Sequence, residues 1–140
     1  MADATAGERR PEGDVLGDGQ VGEDRRLLVD EAHIATVASH PEYRGCGLGE
    51  WLVVDLMERA QERGARVATL EVRAGNLIAQ KLYAKLGFDV VGTRRKYYRD
   101  GEDGLIMTTP AFDDPEIQSR MESAREDALV RLARCFGREA

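Results

Sequence analysis

The hydrophobic positions of this chain fall into short runs of helical and strand period, separated by glycine and charged turns. Leu48, Leu52, Leu56 and Ala60 recur every four residues with Val53 beside them. That apolar stripe predicts an amphipathic helix over 50–63, with Gly64 just past its end. A second helix is predicted over 76–86, where Ala79, Leu82, Tyr83 and Leu86 share a face and Gly87 stops the run. Residues 66–72 read as a strand, as do 26–29 and, after a turn at Asp30-Glu31, 33–39. Residues 88–96 and 105–109 predict a hairpin whose long loop carries Asp100-Gly101. A last helix is predicted over 114–136, because Ile117, Met121, Ala124, Ala128, Leu132 and Cys135 recur at three or four residues. Asp114 suits its cap and Pro115 its first turn. This helix either packs on its own domain, the preferred reading, or meets a second copy. Strands alternating with helices imply an α/β fold built on a mixed sheet.

Before residue 25 the pattern fades. Gly7, Pro11, Gly13, Gly17, Gly19 and Gly22 stand among acids with few large apolar groups. Residues 1–24 are therefore expected to be disordered, 25–112 to form the domain and 113–140 the C-terminal helix. Composition then narrows the class. Hydrophobic residues at 42% and charged residues at 33% match an ordinary soluble globular chain. No apolar run approaches the ~18 residues of a membrane span, and the N-terminus lacks a signal core. Two cysteines, Cys46 and Cys135, make no disulfide framework and have no partners at metal spacing. His33 and His40, seven apart, are not a metal pair. A cytoplasmic protein without metal or membrane partner is the expectation. The net charge of −6 argues against a nucleic-acid coat, and it opposes any anionic ligand.

One run nevertheless invites an anion. Gly45, Gly47 and Gly49 alternate directly before the helix predicted from residue 50. Glycines let backbone N–H groups approach a phosphate, and a helix start adds unpaired amides and the positive end of a dipole. The Walker loop is excluded, because the run ends Leu48-Gly49-Glu50 without lysine or hydroxyl. The dinucleotide fingerprint is excluded by spacing, G-x-G-x-G instead of G-x-G-x-x-G. The run Arg44 to Gly49, Arg-x-x-Gly-x-Gly, resembles the pyrophosphate loop of the GNAT superfamily of acyl-CoA-dependent N-acyltransferases. Leu70-Glu71-Val72-Arg73-Ala74-Gly75-Asn76, Leu82-Tyr83 and Lys85-Leu86-Gly87-Phe88 resemble that family's later motif. Arg94-Arg95-Lys96-Tyr97-Tyr98 and Glu102 to Met107 point to its ribosomal-protein-alanine N-acetyltransferase branch. The resemblance covers about residues 31–109.

It implies acetyl-CoA as co-substrate and a protein N-terminal α-amine, such as that of a ribosomal protein, as acceptor. Glu71 matches the general base and Tyr83 the general acid. Asn76 matches the side chain that holds the pantetheine arm, although an asparagine there also suits a helix N-cap. The backbones of Val37, Ala38 and Ser39 are implied to pair with that arm as a strand would. Gly45, Cys46, Gly47, Leu48, Gly49 and Glu50 are implied to meet the pyrophosphate, with Arg44 adding charge. Tyr97 and Tyr98 either line the acceptor groove or pack on the sheet. Acetylation of a small amine or a lysine, or acyl-CoA binding without catalysis, remain the alternatives. The family begins with a strand, two helices and further strands before the segment matching Glu31, where this chain has about thirty residues. A truncated frame or fragment is the favoured expectation, ahead of a compact variant or completion by a partner. Strand 26–29 would then be an exposed edge, open to dimerisation.

Overall fold

A computed structural model describes residues 15–16, 19–21, 24–38, 40–42 and 45–137. The elements, in order, are β1 (Val15–Leu16), β2 (Gly19–Val21), β3 (Arg26–Val29), α1 (Glu31–Ala38), α2 (Leu48–Glu62), β4 (Val67–Arg73), α3 (Leu77–Lys85), β5 (Asp89–Arg94), β6 (Gly104–Thr108) and α4 (Pro115–Gly137). The strands form one six-stranded mixed sheet in the order β1-β2-β3-β4-β6-β5. Only β3 and β4 pair in parallel among these neighbours, Leu28 opposite Thr69. The α/β fold on a mixed sheet stands. The strand at 26–29 is not an edge, because β2 pairs with it, Gln20 opposite Leu28. β1 and β2 also lie inside the segment expected to be disordered; most of residues 1–24 falls outside the described residues.

The largest departure is α1. Residues 33–38 were expected to extend as a strand, since Ile34, Thr36 and Val37 are β-branched. They coil instead. Asp30 caps the turn, its Oδ1 accepting from the His33 amide at 3.2 Å and its carbonyl from the Ile34 amide at 3.2 Å. Ala32, Ala35 and Ala38 favour a helix, and Ile34 still reaches the core, 1% exposed. A cap of this kind contributes about 1 kcal/mol, enough to tip a segment of mixed propensity.

The core lies between the sheet and the helices. Leu27, Leu70 and Val72 from the strands meet Val53, Val54 and Met57 of α2, all nearly sealed from water. The buried face of α2 is thus turned toward 53, 54, 57 and 60, while Leu52 and Leu56 are only half-buried. In α4 the predicted stripe does go inward: Ile117, Met121, Ala124 and Ala128 are buried. The helix packs on α2 and on the end of α3, where Gly87 admits it. Gly87 has φ +104, and a Cβ there would sit 2.3 Å from Ile117 Cδ1.

Candidate functional site

Two sites emerge, one at the start of α2 and one at the C-terminal ends of the parallel strands β3 and β4. At the first, the chain turns through Gly45 and Gly47, both left-handed at φ +79 and +85. Gly47 occupies the N-cap of α2 and supplies no side-chain cap, so the first amides of a 15-residue helix have no side-chain acceptor from it. The loop is entered from a helix, not a strand. The expected strand-like pairing through Val37 and Ala38 is therefore corrected, because helical N–H groups point back along their own helix. Ser39 and Arg44 lie outside the described residues. Gly49 serves packing: a Cβ there would fall 2.9 Å from that of Ala38, so α1 and α2 touch at this glycine.

The same turn is covered from the other side by α4. A Cβ on Gly47 would lie 3.2 Å from Arg131 Cβ and 3.3 Å from the Ala128 carbonyl oxygen. The Glu50 carboxylate is 2% exposed, with Arg131 Nη1 3.0 Å from Oε1 and Lys85 Nζ 3.0 Å from Oε2. Lys85 also reaches Asp127 at 2.8 Å, and that ammonium holds Asp127 below the ordinary carboxylate range. Cys46 and Cys135, expected to make no disulfide framework, form a disulfide with Cα atoms 5.7 Å apart and a separation of 89 positions in the sequence. The pairing follows from α4 folding back across α2, which spacing in the sequence does not reveal.

At the second site, the Tyr83 hydroxyl donates to Glu31 Oε2 at 3.4 Å. Tyr83 is 1% exposed and its ring meets Phe88 edge-on at 5.8 Å. Burial, then the Glu31 charge, pushes the phenol far above its ordinary value. Glu31 itself is raised to about 7, chiefly because burial disfavours its charge, with Asp30 adding repulsion and Tyr83 and Arg73 opposing. Tyr98 is raised to about 12, first by burial and then by Glu31 and Glu71. The Arg73 guanidinium stacks 4.1 Å over the Tyr98 ring and pairs with Glu102 at 2.8 Å and Asp100 at 2.9 Å. Glu102 also accepts from the Gly75 amide at 2.7 Å, which fastens the β5–β6 loop over the start of α3.

Glu71 sits half-buried on β4 and is bound by Arg94 of β5. Asn76 acts as the N-cap of α3, its Oδ1 accepting from the Ala79 amide at 3.1 Å. Tyr97 and Tyr98 both pack on Gly104, so their rings belong to the hairpin as much as to any groove. Glu31, read from sequence as part of a turn, is the ionisable group that the fold brings to Tyr83. An acid immediately after a strand, beside a second acid, was the one available signal. The separation of 52 positions between the partners hides the contact.

Solved structures share the fold. The ribosomal-protein-S18-alanine N-acetyltransferase from Escherichia coli superposes with a TM-score of 0.52 at 36% identity, over 66% of this chain and 57% of that one. A NatC complex bound to Gag peptide and CoA has a TM-score of 0.50 at 23% identity, over 61% and 50%, and shares the fold. The family model of the acetyltransferase (GNAT) family matches residues 10–88, more than half of the chain, and the chain belongs to that family. Among curated relatives, the ribosomal protein bS18-alanine N-acetyltransferase of Escherichia coli (strain K12) is 41% identical over 88 residues, 61% of this chain and 60% of that protein. The chain thus spans a little over half the length of the curated relatives it matches. Among the described residues no helix is long and apolar enough to cross a membrane.

Proposed function

We propose that this chain is an acetyl-CoA-dependent N-acetyltransferase that transfers acetyl directly to a protein N-terminal α-amine; its relatives are named as ribosomal protein bS18-alanine N-acetyltransferases. The observation that carries the reading is the Tyr83–Glu31 pair, set within the stretch that the family matches. The amine nitrogen attacks the thioester carbonyl, the C–S bond breaks, and one proton must leave nitrogen while one reaches sulfur. An α-amine titrates near ~8, so roughly a tenth is already neutral at pH 7 and a modest base suffices. Glu31, poised near 7, fits that task better than a fully solvated carboxylate would. Glu71, engaged by Arg94, is the second candidate base.

Tyr83 keeps its proton at every physiological pH. Its raised value makes it a weak acid, so it acts by hydrogen-bonding the developing thiolate and releases its proton only as that charge forms. The Glu31 contact would return a proton to the phenol, closing the cycle. The amides of Gly45 to Glu50 and the Arg44 charge would hold the diphosphate of coenzyme A, each charge-assisted bond adding about 1.5–3 kcal/mol against the chain's negative field. Asn76 would meet the pantetheine arm only by sharing or leaving its cap.

The test is a panel of N-terminal peptides against polyamines, free lysine and small amines, with acetyl-CoA and purified reduced protein. Preferential acetylation of an alanine-terminated peptide supports the reading; faster transfer to a small amine moves the chain to the rival acceptor class. A non-catalytic acyl-CoA-binding fragment is favoured by the partial span alone. Coenzyme A binding by calorimetry with no transfer to any acceptor would establish it.

A further inference from the structure

The start of α2 presents a conflict that the proposed function leaves open. Its left-handed glycines, and an N-cap that supplies no side-chain acceptor, suit an anion, yet α4 lies across them. Three separate fastenings hold α4 there: the Cys46–Cys135 disulfide, the Arg131–Glu50 ion pair and the Lys85 bridge from Glu50 to Asp127. The cover is local. Cys46 and Gly47 are buried under α4, while a Cβ built on Gly45 would meet nothing within 4 Å among the described residues. The disulfide joins the loop itself to the last turns of the helix, so it clasps the cover at its C-terminal end.

We infer that α4 is a removable cover on the glycine loop, clasped by the Cys46–Cys135 disulfide and released by a dithiol reductant. The identity of the anion that then enters rests on the coenzyme A reading; the cover does not. Cys135 is the more accessible sulfur, since Cys46 is 4% exposed. A reductant thiolate attacks the Cys135 sulfur, the S–S bond breaks, and Cys46 leaves as a thiolate and is protonated. The second thiol of the reductant displaces Cys135 from the mixed disulfide. The two electrons come from the dithiol, which ends as a cyclic disulfide, and both protein sulfurs end as thiols. As far as Ala128 the helix is held by its buried stripe and by Arg125 pairing with Glu58; beyond it the remaining ion pairs join half-exposed Arg131 and Lys85 to the buried Glu50. Past Ala128 the last turns of α4, with Leu129 and Val130 about half exposed, bury little to replace the clasp.

The test uses the full chain in two states, oxidised with diamide and reduced with dithiothreitol, alongside Cys135→Ser without reductant. Hydrogen exchange of the amides of residues 46–50 reads the cover directly, and calorimetry with coenzyme A reads the site. The cover predicts exchange at least about tenfold faster after reduction and in Cys135→Ser, with coenzyme A bound at least about tenfold more tightly in both, within the usual range of coupling between sites. Equal exchange in the oxidised and reduced wild type overturns the inference, as do two titratable thiols surviving diamide. Faster exchange with no coenzyme A binding in any form upholds the cover and overturns the coenzyme A reading. The reduced wild type carries the test even if the serine variant folds poorly.

Discussion

Residues 67–108 and residues 30–50 form the two halves of the candidate site, and they obey different rules. In the later half each element is fixed by its own pattern: β4 alternates, α3 carries an apolar face capped by Asn76, and β5 and β6 pair around a turn. In the earlier half local preference is divided, and contacts with distant elements decide. α1 coils because Asp30 caps it and α2 receives it at Gly49; the glycine loop is shaped as much by α4 as by its own glycines. A half that is locally consistent should resist perturbation through its core, whereas the divided half should respond to small changes of propensity, charge and redox state.

The largest expected effect belongs to the later half. Phe88 is fully buried against Tyr83, and Phe88→Ala should lower stability by about 3–5 kcal/mol in urea titration. A loss below 1 kcal/mol would mean that this core is not the rigid half. Next comes pH. The folded value of Glu31, about 7, lies above its ordinary 4.5, so folding takes up a proton between those limits. Its contribution is complete below 4.5 and is lost as pH rises through about 7. Discounted for partial exposure, that loss is about 1–2 kcal/mol. Glu31→Gln should flatten the stability profile over this window; an unchanged profile would remove Glu31 from the buried site. The smallest effect is the sharpest on α1. Exposed Thr36→Ala should raise stability by a few tenths of a kcal/mol if residues 31–38 are helical, and lower it if they are a strand.

The same division explains what could be read in advance. The elements from β4 to β6 were legible to within a residue or two, because periodicity, the glycine at 87 and the asparagine at 76 all agree. α1 was not, since Ile34, Thr36 and Val37 argue for a strand while three alanines and Asp30 argue for a helix. The burial of Glu50, the partnership of Glu31 with Tyr83 and the Cys46–Cys135 bond join positions 35 to 89 residues apart. Such contacts exist only once the helices are packed.

Comparing Tyr83→Phe with the wild type, both reduced, bears most directly on the proposed chemistry. With acetyl-CoA and an alanine-terminated peptide, turnover should fall by roughly 10²-fold or more while the acetyl-CoA dissociation constant stays within about twofold. Equal turnover in the two proteins, or weakened acetyl-CoA binding at an unchanged rate, would contradict a Tyr83–Glu31 reaction centre.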